Sequence, residues 1–167
     1  MKLKNSVIKA LVDNGLQNTT DHSVDCKHAY KVYNFIHEVV GANKVLDEKR
    51  VELLKTAGIE NAKEFDARRK ALSETPKRTK KEQEELEAMD AKIARFFELF
   101  AELMNDESEL NVKTIPYEEF HKLAAENRAT PAVRIVKGEP KTVNIDIFTA
   151  FRDELKDVLW AAPVETD

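Results

Sequence analysis

Apolar positions repeat at helical spacing through most of this chain. Val7, Ile8, Leu11 and Val12 give residues 5–14 one apolar face, with Asn5 or Ser6 as a cap and Gly15 just past the end. Ala29, Val32, Ile36, Val39, Asn43, Leu46, Arg50, Leu53 and Ala57 alternate spacings of three and four. That is a coiled-coil-like stripe with two polar interruptions. The spacing predicts one helix from between Asp21 and Asp25 to Ala57, with Gly58 after it and a break at Gly41–Asn43 as an alternative. Leu86, Met89, Ile93, Phe96, Phe100 and Leu103 form a second stripe, from a T-x-x-E capping box at Thr79–Glu82 to about Asn105. Between the two stripes, residues 59–83 are mostly polar and predict a short connecting helix ended at Thr75–Pro76.

The last third changes character. "ELNVKTI" predicts a short strand, and Pro116 opens a helix to about Asn127. "AVRIV" and "TVNI" flank a "KGEP" turn, and "DIFTAFRDELKDVLW" predicts a final amphipathic helix. The expected fold class is α+β, predominantly α. A long antiparallel helical hairpin (about residues 22–105) carries a small sheet and short helices at its base (1–20 and 106–162), in a single domain with a frayed tail at 163–167.

Composition narrows the function classes. Of 167 residues, 42% are hydrophobic and 35% charged, with a net charge of −4, unlike a dedicated nucleic-acid binder. One cysteine leaves no internal disulfide and fits a reducing compartment. No apolar run approaches the roughly 20 residues that span a bilayer. The expectation is a soluble, cytoplasmic chain with no membrane contact.

Candidate chemistry concentrates in "TTDHSVDCKHAYKVY". Asp21, His22, Asp25, Cys26 and His28 are metal-ligand types, but they divide over two helix faces and lack converging partners. A helix cap is the plainer reading, with Thr20, Asp21 or Ser23 accepting backbone bonds. Cys26 near a helix start is a candidate reactive thiol without a local general base. No phosphate-loop, dinucleotide or nucleophile-elbow motif occurs, so no catalytic residue, cofactor or metal is expected. Two patches are candidate interaction sites. Phe96, Phe97 and Phe100 could receive a partner's apolar helix, or the hairpin could self-associate. Arg68, Arg69, Lys70, Lys77, Arg78, Lys80 and Lys81 make a basic tip that could touch phosphates, although a solvated tip is the plainer reading.

The opening "MKLKN", the helix start "HAYKVYNFI", the run "FFELFAELMNDESELNVKTIPYEEF" and the closing "VLW" resemble a group of small, functionally uncharacterised proteins encoded by tailed phages and prophages. The likeness covers much of residues 1–120, and residues 128–145 depart from its shorter members. It implies a phage or prophage gene product in a host bacterial cytoplasm, or associated with the virion. It implies no catalytic or binding residues. The function expected is non-catalytic, through protein–protein contacts in a setting such as virion assembly. The alternative is a nucleic-acid-associated accessory protein using the basic tip.

Overall fold

The computed structural model describes residues 1–19, 25–126, 131–136, 139–144 and 146–163. The fold is predominantly α with small β pairings. In chain order the elements are β1 (Lys2–Lys4), α1 (Asn5–Asp13), a 3-10 turn (Leu16–Asn18), α2 (Cys26–Thr56), α3 (Ala62–Glu74) and α4 (Lys80–Asn105). Then follow β2 (Glu107–Glu109), β3 (Ile115–Pro116), α5 (Tyr117–Glu126), β4 (Pro131–Val136), β5 (Glu139–Asn144), α6 (Ile147–Ala150) and β6 (Trp160–Ala161). The chain divides into two compact units, Met1–Val45 with Asp106–Asp167, and Leu46–Asn105. The boundary falls inside α2, between Val45 and Leu46.

In the first unit β1 pairs antiparallel with β2, setting Leu3 opposite Ser108. Beneath them α1 buries Ile8 and Leu11. The stripe of α2 buries Val32, Phe35 and Val39. Gly15 adopts φ 87°, a conformation an L side chain resists, so the chain turns sharply after α1. An aromatic cluster fills the centre. Phe120 stacks on Trp160 at 5.6 Å, meets Phe148 edge-on at 6.2 Å, and Tyr117 packs on Trp160 at 4.9 Å. β4 and β5 form a separate antiparallel pair with Pro131 opposite Asn144.

The segment expected as one strand, "ELNVKTI", is extended, with Leu110, Val112 and Ile115 buried. It pairs with strands only at its ends: Glu107–Glu109 with β1, and Ile115–Pro116 with β6 in parallel. The middle needs other partners for its backbone, and α2 supplies them. Lys31 Nζ donates to the Thr114 carbonyl at 3.1 Å and Asn34 Nδ2 to that of Asn111 at 2.8 Å. The Asn111 N–H donates to Glu38 Oε2 at 2.9 Å. Positions 31, 34 and 38 lie on one line along the helix, so side chains stand where a neighbouring strand would.

The final amphipathic helix is corrected. Asp146 caps it, accepting from the Thr149 N–H at 3.1 Å and from the Thr149 hydroxyl. Regular helix nevertheless ends at Ala150. Leu155, Val158, Leu159 and Trp160 are all buried. Trp160 lies about 100° around a helix from Leu159, too far for one stripe to bury the set. Instead the chain reverses through Asp157 at φ 62°, and Trp160–Ala161 becomes β6. The Trp160 Nε1–H donates to the Arg152 carbonyl at 2.8 Å, satisfying a group the broken helix leaves open.

α2 runs unbroken past Gly41 to Thr56, and in the second unit Gly58 at φ 84° follows as expected. The connecting helix is α3, capped by the Asn61 side chain accepting from the Glu64 N–H. It packs antiparallel on α4: Arg68 reaches Glu85 and Arg69 reaches Asp90. The capping box is formed, with the Thr79 N–H donating to Glu82 Oε2 at 2.8 Å and the Glu82 N–H to Thr79 Oγ1 at 3.2 Å. Of the α4 stripe only Met89 and Phe96 are buried; Leu86, Ile93, Phe100 and Leu103 are half-buried.

The expected cap residues Thr20, Asp21 and Ser23, the Lys137–Gly138 turn, and the tail from Val164 lie outside the described residues.

Candidate interaction surface

The start of α2 is fixed from two directions. The Lys27 N–H donates to Asp25 Oδ1 at 3.3 Å, so Asp25 caps the helix. The Asp25 N–H in turn donates to Glu119 Oε2 on α5 at 3.0 Å. Lys122 on one side and that N–H on the other hold the Glu119 carboxyl below its ordinary range. These ties set the rotation of α2. With Val32, Phe35 and Val39 turned inward, the opposite face is presented outward.

That outward face is unusually apolar. Tyr30 is 76% exposed, Tyr33 52% and Val40 36%. With His37, also exposed, they repeat at three, four and three, so one side of the helix carries them all. Gly41 follows on the same side, four residues after His37. A Cβ added there would meet nothing within 4 Å. Along one flank runs a groove of about 280 Å³ lined by Lys27, Tyr30, Lys31, Asn34, Asn111 and Lys113. Of its lysines, Lys27 pairs with Asp25 at 3.6 Å, and the Asn111 N–H donates to Glu38.

A second cleft, of about 310 Å³, includes His28, Lys31, Thr114, Tyr117 and Glu118 in its lining. His28 is 9% exposed, and its Nδ1 has no hydrogen-bond partner among the described residues. Cys26, by contrast, is free and exposed. Positions 26 and 28 point to opposite sides of a helix, so Cys26 and His28 do not make a thiol–imidazole pair. Among the described residues no three His, Cys, Asp or Glu side chains gather as a metal site, and His22 and Asp21 lie outside that set.

The phenylalanine trio is divided. Phe96 is buried and stacks on Phe100 at 5.6 Å, whereas Phe97 is 60% exposed. The basic tip is largely engaged with its own surroundings. Arg68 makes two 2.7 Å bonds to Glu85, Arg69 one of 2.8 Å to Asp90. Lys70 pairs with Glu74 and Lys80 with Glu84. Arg78 donates to the Leu72 and Ser73 carbonyls, closing the α3–α4 turn, and Lys81 feels the charge of Glu85. The α2 face was missed in the sequence because Val40 reads as a widening of the main stripe, and Tyr30 and Tyr33 fall outside that stripe. The missed signal is their own three–four–three spacing with His37.

No helix among the described residues is long and apolar enough to cross a membrane. Comparison of the chain with family models, curated proteins and solved structures finds no match.

Proposed function

We propose that this protein acts without catalysis, through contacts with other proteins, and that the exposed face of α2 makes them. The observation that carries this is the contiguous set Tyr30, Tyr33 and Val40 on a helix whose other side is already buried. Exposed tyrosines on a rigid helix supply large contact area at low entropic cost, and tyrosine is enriched at binding hot spots. The likeness of the "MKLKN", "HAYKVYNFI" and "ELNVKTI" segments to phage and prophage proteins supports a phage setting, with virion assembly as the process. The partner is another protein or a second copy of this chain.

A photo-crosslinking amino acid at position 33, in the cells that make the protein, tests the reading. A discrete adduct from position 33, and none from the exposed position 64 of α3, is the expected result. No adduct from position 33 overturns it.

The alternative of nucleic-acid binding by the basic tip has less support. Arg68, Arg69, Lys70 and Lys80 already carry carboxylate partners, and Arg78 is spent on backbone carbonyls. Binding to phosphates at those five positions would have to displace these contacts first.

A further inference from the structure

We infer that the α2 face receives an acidic, apolar-striped helix of a different protein, packed closely over Gly41; this rests on the proposed function above. Three observations converge. First, Tyr30, Tyr33 and Val40 are exposed along one line of helix, the pattern that accepts a partner's apolar ridge. Second, Gly41 sits at the C-terminal end of that face, one turn after His37 and before exposed Lys44. Glycine within a helix is less stable than alanine by roughly 0.5–1 kcal/mol. Nothing in the unit requires it, since an added Cβ would meet no atom within 4 Å. A helix backbone laid across the face would require it, because only glycine leaves room for the closest approach. Third, the surround is basic. Lys27, Lys31 and Lys113 line the flanking groove and exposed Lys44 continues the face beyond Gly41. Asp25 pairs with Lys27 and Glu38, still charged, accepts the Asn111 N–H, so four lysines stand against these two acids. Lys113 has no ion-pair partner among the described residues.

Charge also decides against a second copy here. An isologous pair would set this face against itself, opposing lysines to lysines. A partner with glutamates flanking its apolar ridge would instead meet the lysines as counter-charges.

Two capped helical peptides with the same apolar stripe provide the test, one flanked by glutamates and the other by lysines. The glutamate peptide should bind the full chain about tenfold more tightly than the lysine peptide at low salt, and less so at high salt. The double variant Lys27→Glu/Lys44→Glu should reverse that preference; both side chains are exposed, so the fold should persist. Gly41→Ala should raise thermal stability yet weaken the glutamate peptide several-fold. Equal binding of the two peptides, binding of neither, or Gly41→Ala binding as tightly as the parent would overturn the inference. So would a concentration-dependent dimer abolished by Tyr33→Ser, which assigns the face to self-association. A position-33 adduct together with any of these results leaves the protein-contact reading standing and removes only the acidic-helix inference.

Discussion

Different physics holds each of the two units of this chain together. In Met1–Val45 with Asp106–Asp167, residues far apart in sequence share one interior: Leu3, Ile8, Phe35, Phe120, Phe148 and Leu159 are each at most 4% exposed. In Leu46–Asn105 the buried apolar side chains are Leu46, Ala57, Ile59, Leu72, Met89 and Phe96. There helix propensity, a capping box and exposed ion pairs carry more of the burden. Exposed pairs are each worth about 0–1 kcal/mol and are screened by salt. A region with few buried apolar contacts opens locally at lower free energy than one with a shared core. The first unit is therefore held by a shared interior, and the second is a set of helices that local signals specify.

Core truncations test that contrast most strongly. Phe120→Ala removes a ring stacked on Trp160 and edge-on to Phe148, and should cost about 3–5 kcal/mol. Leu72→Ala, in the thinner core, should cost about 2–3 kcal/mol, the lower part of the usual range, because a sparsely packed site collapses more readily. Trp160 is the single tryptophan, so its fluorescence follows the first unit alone, while far-ultraviolet circular dichroism follows the helices of both. Urea titration of Phe120→Ala should lower the fluorescence midpoint sharply. Leu72→Ala should lower the dichroism midpoint while leaving fluorescence behind. If both probes move together in both variants, the two units unfold as one and the contrast fails.

The capping box probes the local signals on a smaller scale. Thr79→Ala removes the oxygen that accepts the Glu82 N–H and should cost about 1 kcal/mol. The loss should appear as faster amide exchange in the first turns of α4, with Trp160 fluorescence unchanged at its midpoint. A shift of equal size in both readouts would mean that the cap is coupled to the core of the first unit.

The same contrast explains what was legible in the sequence. The α4 stripe, the Thr79–Glu82 box, Gly15 and Gly58 all rest on interactions within a few residues, and all appear where spacing and turn chemistry put them. The predominantly helical class follows from the same local patterns. What failed depended on distant partners. "ELNVKTI" reads as one strand because alternate positions are buried, but its middle bonds to α2 side chains 73 to 83 residues earlier in the chain. Residues 151–160 read as helix because Leu155, Val158 and Leu159 have helical spacing. Pairing Trp160 with Ile115 overrides that pattern. The exposed α2 face was hidden for a related reason. Whether Tyr30 and Tyr33 widen a core stripe or face outward depends on how α2 is rotated, and the Asp25–Glu119 and Asn34–Asn111 bonds fix that rotation across the chain.

Acid provides the gentlest test of the two units. Hydrogen bonds from the Thr79 N–H and hydroxyl hold the Glu82 carboxyl below its ordinary value of 4.5, and the Arg68 guanidinium does the same for Glu85. Each group is thus more acidic folded than unfolded. Its contribution is fully present above the ordinary carboxylate range and is lost as pH falls through the depressed folded value. Glu119 in the first unit behaves in the same way, through Lys122 and the Asp25 N–H. Two such groups steady the α3–α4 pair, where little core stands behind them, so falling pH should loosen that pair while Trp160 stays packed. Amide protection in α3 and α4, relative to the intrinsic rate at each pH, should fall below about pH 4, before fluorescence changes. Glu85→Gln should weaken the pair at neutral pH and flatten part of this acid response, because the neutral amide would not titrate. High salt should reduce the response of Glu85 more than that of Glu82, whose partners are neutral. Simultaneous loss of the helical and fluorescence signals would instead show that the acid-sensitive contacts support the whole molecule.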